Sequence, residues 1–367
     1  MEFFSEAGMQ LIQNSFVPKA ILIGTLCALS SLISGCGAAG QQVATTNVIS
    51  STAPGATSTP TSAPSTSATA PAPPAAPAAP SPSPAPPAPT PDAPTPTASR
   101  IPHSSHVVLV IEENKMFTEV YPNGMPWLVA QGNKYGYASN YHADVPGSMM
   151  DYLWLSSGSG EEPFGCVGDG CRQPITSDNI FRELGRASLT WKVYAQSLPS
   201  AGYMGPSTGA YAAHHNPAKW YSDVIDNSSL QQNIVPLTQL ALDLAANQLP
   251  NYSIIIPDGD NDGWDGSMAS ADNFLAANIA PLLSAPYFQA GGDAVMFITF
   301  DECDEAVGTC PGNEQVYTAV IGPKVKPGTV SSTPYKHENT LRTILDALGV
   351  TVDPGASSSV ADMKDFF

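Results

Sequence analysis

His106-Val107-Val108-Leu109-Val110-Ile111, followed at once by Glu112-Glu113-Asn114, is the stretch on which the fold turns. The run is apolar and β-branched without alternation, so it predicts a strand buried on both faces of a parallel sheet. Comparable runs are Tyr252 to Ile256, Ala294 to Thr299 and Tyr317 to Ile321. Helical patterns lie between them, at Trp127 to Tyr135, Ser148 to Leu155, Asn179 to Ala187, Leu237 to Asn247, Ser270 to Leu283 and Glu338 to Leu348. Strands alternating with helices predict an α/β domain, a doubly wound sandwich with a mostly parallel central sheet.

In such folds the working residues sit at the carboxyl ends of the strands. The first run leads into Glu112-Glu113-Asn114, the second into Pro257-Asp258-Gly259-Asp260-Asn261-Asp262, and the third into Asp301-Glu302. A single acidic loop is commonly just solvated. Three carboxylate clusters after three buried strands are different, because like charges gathered at one sheet edge repel unless a cation holds them.

Composition bounds the rest. Of 36 prolines among 367 residues, 16 fall between Cys36 and Ile101 in a stretch that is otherwise mostly Ala, Ser and Thr, which cannot bury a core. The chain then divides into residues 1–36, a tether over 37–101 and one domain over 102–367. The formal charge is -18, and the first hundred residues hold only Glu2, Glu6, Lys19, Asp92 and Arg100 of the charged groups. An acidic domain with 12 Lys and Arg excludes nucleic acid as a partner. An anionic substrate would need a bound cation to attract it.

Lys19 precedes the apolar run Ala20 to Ile33, which reads as a signal-peptide core and is short for a membrane span. Its end, Leu32-Ile33-Ser34-Gly35-Cys36, resembles the lipobox of bacterial lipoproteins, which implies lipidation at Cys36 and a membrane surface as partner. An ordinary signal peptide is the alternative; export is expected in either case. The Pro-rich tether would act as a semi-rigid spacer. Cys166 with Cys171 and Cys303 with Cys310 form two close pairs, expected as disulfides in an exported chain, with zinc as a weaker rival.

The segments Val110–Phe117 (VIEENKMF), Tyr211–Pro217 (YAAHHNP), Phe297–Glu302 (FITFDE) and Ile321-Gly322-Pro323, with His337 to Leu348 after them, resemble the bacterial phosphoesterase family. That family contains acid phosphatases and phospholipases C, and the resemblance implies an alkaline-phosphatase-like fold. It further implies that Glu113-Asn114 and Asp301-Glu302 bind one divalent metal ion, with Glu112 as an extra carboxylate. Hard oxygen ligands of this kind would accept Ca, Mg, Mn or Zn.

In the family the nucleophile precedes a Tyr-Leu-containing helix, and Pro146–Leu153 (PGSMMDYL) is the match, making Ser148 both the implied nucleophile and a metal contact. Ser148 with Asp151 is also a capping-box-like pattern, and both readings stand. His214-His215 match a phosphate-contacting segment; His215 is expected to face the site and assist the leaving group, with His214 behind it. His337 matches a further family histidine, and a surface residue at a helix start is its bland alternative. Two departures matter: Trp264 stands in Asp262-Gly263-Trp264-Asp265 where the family often has histidine, and Gly147 stands where many members have a His-Pro pair. Indole neither binds metal nor transfers protons, so Trp264 is expected to shape a substrate wall between Asp262 and Asp265.

The expected protein is an exported, metal-assisted hydrolase of phosphate monoesters acting through a phosphoserine. The alternatives are a phospholipase C and a surface binding protein of the same fold that has lost activity.

Overall fold

The computed structural model describes residues 101–303 and 315–367. The readings of residues 1–36 as an export signal, of Cys36 as a lipidation site, of the tether up to residue 100 and of Cys310 as a disulfide partner lie outside the described residues.

Eight strands form one sheet: β1 (Val107–Glu112), β2 (Gly136–His142), β3 (Trp191–Ala195), β4 (Ile234–Pro236), β5 (Tyr252–Ile256), β6 (Val295–Phe300), β7 (Gln315–Ile321) and β8 (Thr329–Ser331). Their order is β4-β3-β5-β1-β6-β7-β2-β8, with every neighbouring pair parallel except those that β7 makes with β6 and β2. This is the mostly parallel α/β sheet that the apolar runs predict. Every residue of β1, β5 and β6 is buried. Since successive side chains point to opposite faces, such strands must be covered on both sides.

The topology sets the site. β1 lies between β5 and β6, with Val107 opposite Tyr252 on one side and Val295 on the other. The three acidic strand ends are therefore neighbours at the centre of one sheet edge.

Four strands escape the sequence reading. β4 and β8 have three residues each. β2 contains Gly136 and Asn140, both poor strand formers, and β3 carries the partly exposed Lys192 as its second residue. The expected helix Ser270 to Leu283 is in fact two helices, Met268–Asn278 and Ala280–Leu283. Pro281 has no N–H for a continuous ladder, and the helix breaks just before it, at Ile279, leaving the proline in the first turn of the second helix.

The helix Ser148–Ser157 follows Gly147, whose φ of 114° favours glycine, and ends at Gly158 in the left-handed region. It buries Met149, Tyr152, Leu153 and Leu155, and packs against the helix His337–Ala347.

Candidate active site

At the end of β1 the chain places Glu112 and Glu113 on opposite faces. Glu112 is fully buried, neither of its oxygens has a hydrogen-bond partner among the described residues, and burial and then Asp262 and Asp272 push its pKa well up. It does not line the cleft described below.

Glu113 faces the other way and its two oxygens have different partners. Oε1 accepts the Tyr152 hydroxyl at 2.6 Å and lies 3.4 Å from His215 Nε2. Oε2 accepts from Ser148 Oγ and from Asn114 Nδ2, each at 3.0 Å. Asn114 sits at φ 53°, a conformation asparagine tolerates, and this turn aims its backbone N–H at Asp301 Oδ1 at 2.8 Å. Glu302, next along from β6, accepts the Gly147 N–H on Oε2 at 2.7 Å and the Ser148 hydroxyl on Oε1 at 3.2 Å. The five residues expected to hold a metal and the nucleophile are thus together, with Ser148 Oγ between two carboxylates at a helix N-terminus, where an anion is favoured.

Burial pushes Glu113 well above the usual carboxylate range, and Asp301 beside it adds to this. Burial also raises Asp301, against the hydrogen bonds it accepts. Asp262 is pushed up to about 7, chiefly by burial, with Asp265 and Asp301 adding repulsion. Among the described residues no Lys or Arg forms an ion pair with Glu112, Glu113, Asp262 or Asp301.

A cleft of about 720 Å³ opens over Ser148, Glu113, Asn114 and Glu302. Its walls include His215, Asp262, Trp264 and Asp265, and also Asp169, Tyr211, Asp260 and His214, the last of which, expected behind His215, lines the cleft beside it. His215 is 5% exposed, its Nδ1 has no hydrogen-bond partner among the described residues, and its ring stacks on Tyr152 with centroids 5.3 Å apart and an interplanar angle of 3°. Burial, then His214 beside it, holds His215 well below 6.5, so it is a neutral imidazole near pH 7. This modifies the expected role: the ring is a hydrogen-bonding group before it is an acid. His214 is more open, with Nδ1 3.7 Å from Asp169 Oδ1. Asp169 belongs to the loop closed by the Cys166–Cys171 disulfide, which the sequence pairing anticipates. Trp264 is 40% exposed, its backbone N–H donates to Asp262 Oδ1 at 2.8 Å, and Lys115 Nζ lies 5.6 Å from its ring centroid.

His337 is placed elsewhere. It is fully buried and absent from the cleft walls, so the structure puts it beneath the site rather than against a substrate. Its Nε2 meets the Asp301 carbonyl oxygen at 2.7 Å and its Nδ1 meets Tyr141 Oη at 3.0 Å. With Nε2–H donating to Asp301 O, Nδ1 accepts from the phenol.

Two groupings suit a cation. Asp144, Asp151 and His337 bring one ligand-type atom each within 4.8 Å of one another. Both nitrogens of His337 are occupied, however, and Asp144 Oδ1 pairs with Lys336 Nζ at 3.0 Å, so this grouping serves as a buttress. The Glu113, Asn114, Asp301 and Glu302 set fits better. Among the described residues Asp301 Oδ2 is buried without a hydrogen-bond partner, and the set supplies hard oxygen donors whose charge no lysine or arginine ion pair offsets at Glu113 and Asp301. Asp169 carries no sequence signal of its own; Tyr152 is visible as the Tyr of the Tyr-Leu pair after Ser148, and its place one turn along on the same helix face is what brings its hydroxyl to Glu113.

The family model described as "Phosphoesterase family" matches residues 121–351. The phosphatidylinositol-3-phosphatase of Mycobacterium tuberculosis is 28% identical over 257 residues, 69% of this chain and 80% of that protein. An acid phosphatase of Aspergillus fumigatus is 27% identical over 231 residues, 60% of this chain and 49% of that protein. The chain spans about half the length of the fungal relatives it matches. Among solved structures, a protein of the alkaline phosphatase superfamily from Vibrio parahaemolyticus superposes with a TM-score of 0.49 at 10% identity, over 72% of each chain.

Proposed function

This chain belongs to the Phosphoesterase family, which makes it a hydrolase of phosphoric ester bonds, and on that premise we propose that it cleaves phosphate monoesters by attack of Ser148 on phosphorus. The observation that supports this is Ser148 Oγ held 3.0 Å from Glu113 and 3.2 Å from Glu302 at the start of a helix, on the wall of the cleft.

Glu113, Asn114, Asp301 and Glu302, with Ser148, would hold a divalent ion. When bound, such an ion neutralises charge on the phosphoryl oxygens and lowers the pKa of a contacting hydroxyl. The chain's own groups do the rest. Ser148 Oγ forms the new P–O bond while the ester P–O bond breaks, and its proton passes to Glu113 Oε2 or Glu302 Oε1. That proton is then available to the departing alkoxide, and neutral His215 donates an N–H hydrogen bond at the reacting group. Water next cleaves the phosphoserine, frees phosphate and restores the hydroxyl. In-line displacement asks mainly for positioning and charge neutralisation, so the histidines lost at Gly147 and Trp264 do not forbid it.

The phosphatase names of the relatives support monoesters over phospholipid diesters. The binding-only reading has no use for a serine held between two carboxylates. Export, with membrane anchoring through Cys36, rests on the Lys19 to Cys36 segment and is proposed on that ground. The test is hydrolysis of p-nitrophenyl phosphate by the parent and by Ser148→Ala. A loss on the order of 10³-fold or more at unchanged Tm is expected; retained turnover in the variant would refute the assignment.

A further inference from the structure

We propose that Tyr152 is the positioning residue that divides the Glu113 carboxylate into two halves, holding Oε1 back so that Oε2 is presented to Ser148. The inference rests on the reading of Glu113 as a metal ligand beside the nucleophile. Four groups reach Glu113: Tyr152, His215, Ser148 and Asn114. Ser148 gives up its proton during the reaction, Asn114 is the neighbouring residue in the turn and is itself read as a ligand of the ion, and His215 stands off at 3.4 Å. Tyr152 is different on each count. It is fully buried, its hydroxyl reaches Oε1 at 2.6 Å, and its backbone lies in the middle of the helix that begins at Ser148.

One rigid helical turn thus fixes the nucleophile and the phenol in a constant relation. The same ring stacks on His215, so one side chain orients a carboxylate through its hydroxyl and an imidazole through its face. Partners that orient metal ligands typically change metal affinity 10- to 100-fold when removed, by the general behaviour of such shells.

The experiment measures divalent-ion affinity of the full chain at fixed pH, by competition with a fluorescent chelator, beside kcat and KM on p-nitrophenyl phosphate. Tyr152→Phe keeps the ring and removes the donor; the metal Kd should rise about tenfold or more, with KM little changed and near-ultraviolet circular dichroism intact. Tyr152→Leu also removes the stacking surface and should raise KM in addition. A parent that binds ion and a folded Tyr152→Phe with the same Kd overturn the inference alone. A parent that binds no divalent ion overturns the metal reading and this inference with it.

Discussion

Asp243, on a helix, and the Glu113–Asp301 pair, just past two central strands, are all buried carboxylates, and the fold treats them in opposite ways. Asp243, on the helix Thr238–Ala245, takes an ion pair from Lys192, the Tyr194 hydroxyl at 2.7 Å and the Gln239 amide at 2.8 Å. Burial alone would raise its pKa, but these donors outweigh it and hold Asp243 below the usual range. Glu113 and Asp301 are pushed the other way, with no Lys or Arg paired to either among the described residues. The first arrangement builds stability; the second spends it. Uncompensated carboxylates at the ends of three adjacent central strands mark the place where the fold is shaped for a ligand's charge.

Neutralising one carboxylate in each region separates the two cases. Asp301→Asn should lower p-nitrophenyl phosphate turnover about 100-fold or more, by removing an oxygen from the proposed cation set, yet leave the chelator-treated protein as stable or about 1 kcal/mol more so. Asp243→Asn should do the reverse: activity near the parent's, and a loss of about 2 to 3 kcal/mol in urea unfolding because Lys192 loses its counter-charge and one of the two acceptor oxygens becomes a donor facing other donors. Equal destabilisation by the two substitutions would erase the distinction.

The regions should also differ in pH response. Asp262 has a folded pKa raised to about 7, so its folded form binds the proton more tightly than the unfolded chain does. Its contribution to stability is complete below about pH 4 and is lost as pH rises towards 7. Asp243, with a depressed pKa, contributes above about pH 4 and loses that contribution as pH falls through its folded value. Tm measured against pH under chelator should therefore fall between pH 4 and 7, and Asp262→Asn should flatten the slope. The smallest effect expected is at Trp264, whose replacement by Ala should raise KM about two- to fivefold with kcat within about twofold, by loss of an apolar wall.

Much of this arrangement was legible in the residues. β1, β5 and β6 are continuous apolar runs because both faces are buried, and each ends in carboxylates. That the three are adjacent follows from strand order, which no local pattern encodes. β3, with Lys192 and Tyr194 reaching Asp243, reads poorly because a lysine interrupts its apolar run. Within the site, Glu113, Ser148, His215 and Glu302 announced themselves through motifs. The position of His337 beneath Asp301 did not, since a histidine at a helix start looks the same whether it faces solvent or core. Asp169 reaches the cleft only because a short disulfide loop folds there.

The claim that the strand-end carboxylates are built around a cation is tested most directly on the parent, stripped with EDTA and then titrated with single divalent ions while rate and Tm are followed together. The account predicts that stripping abolishes p-nitrophenyl phosphate hydrolysis and lowers Tm, and that one ion restores both over the same concentration range. Full hydrolysis in EDTA, or a Tm indifferent to every ion, would contradict it.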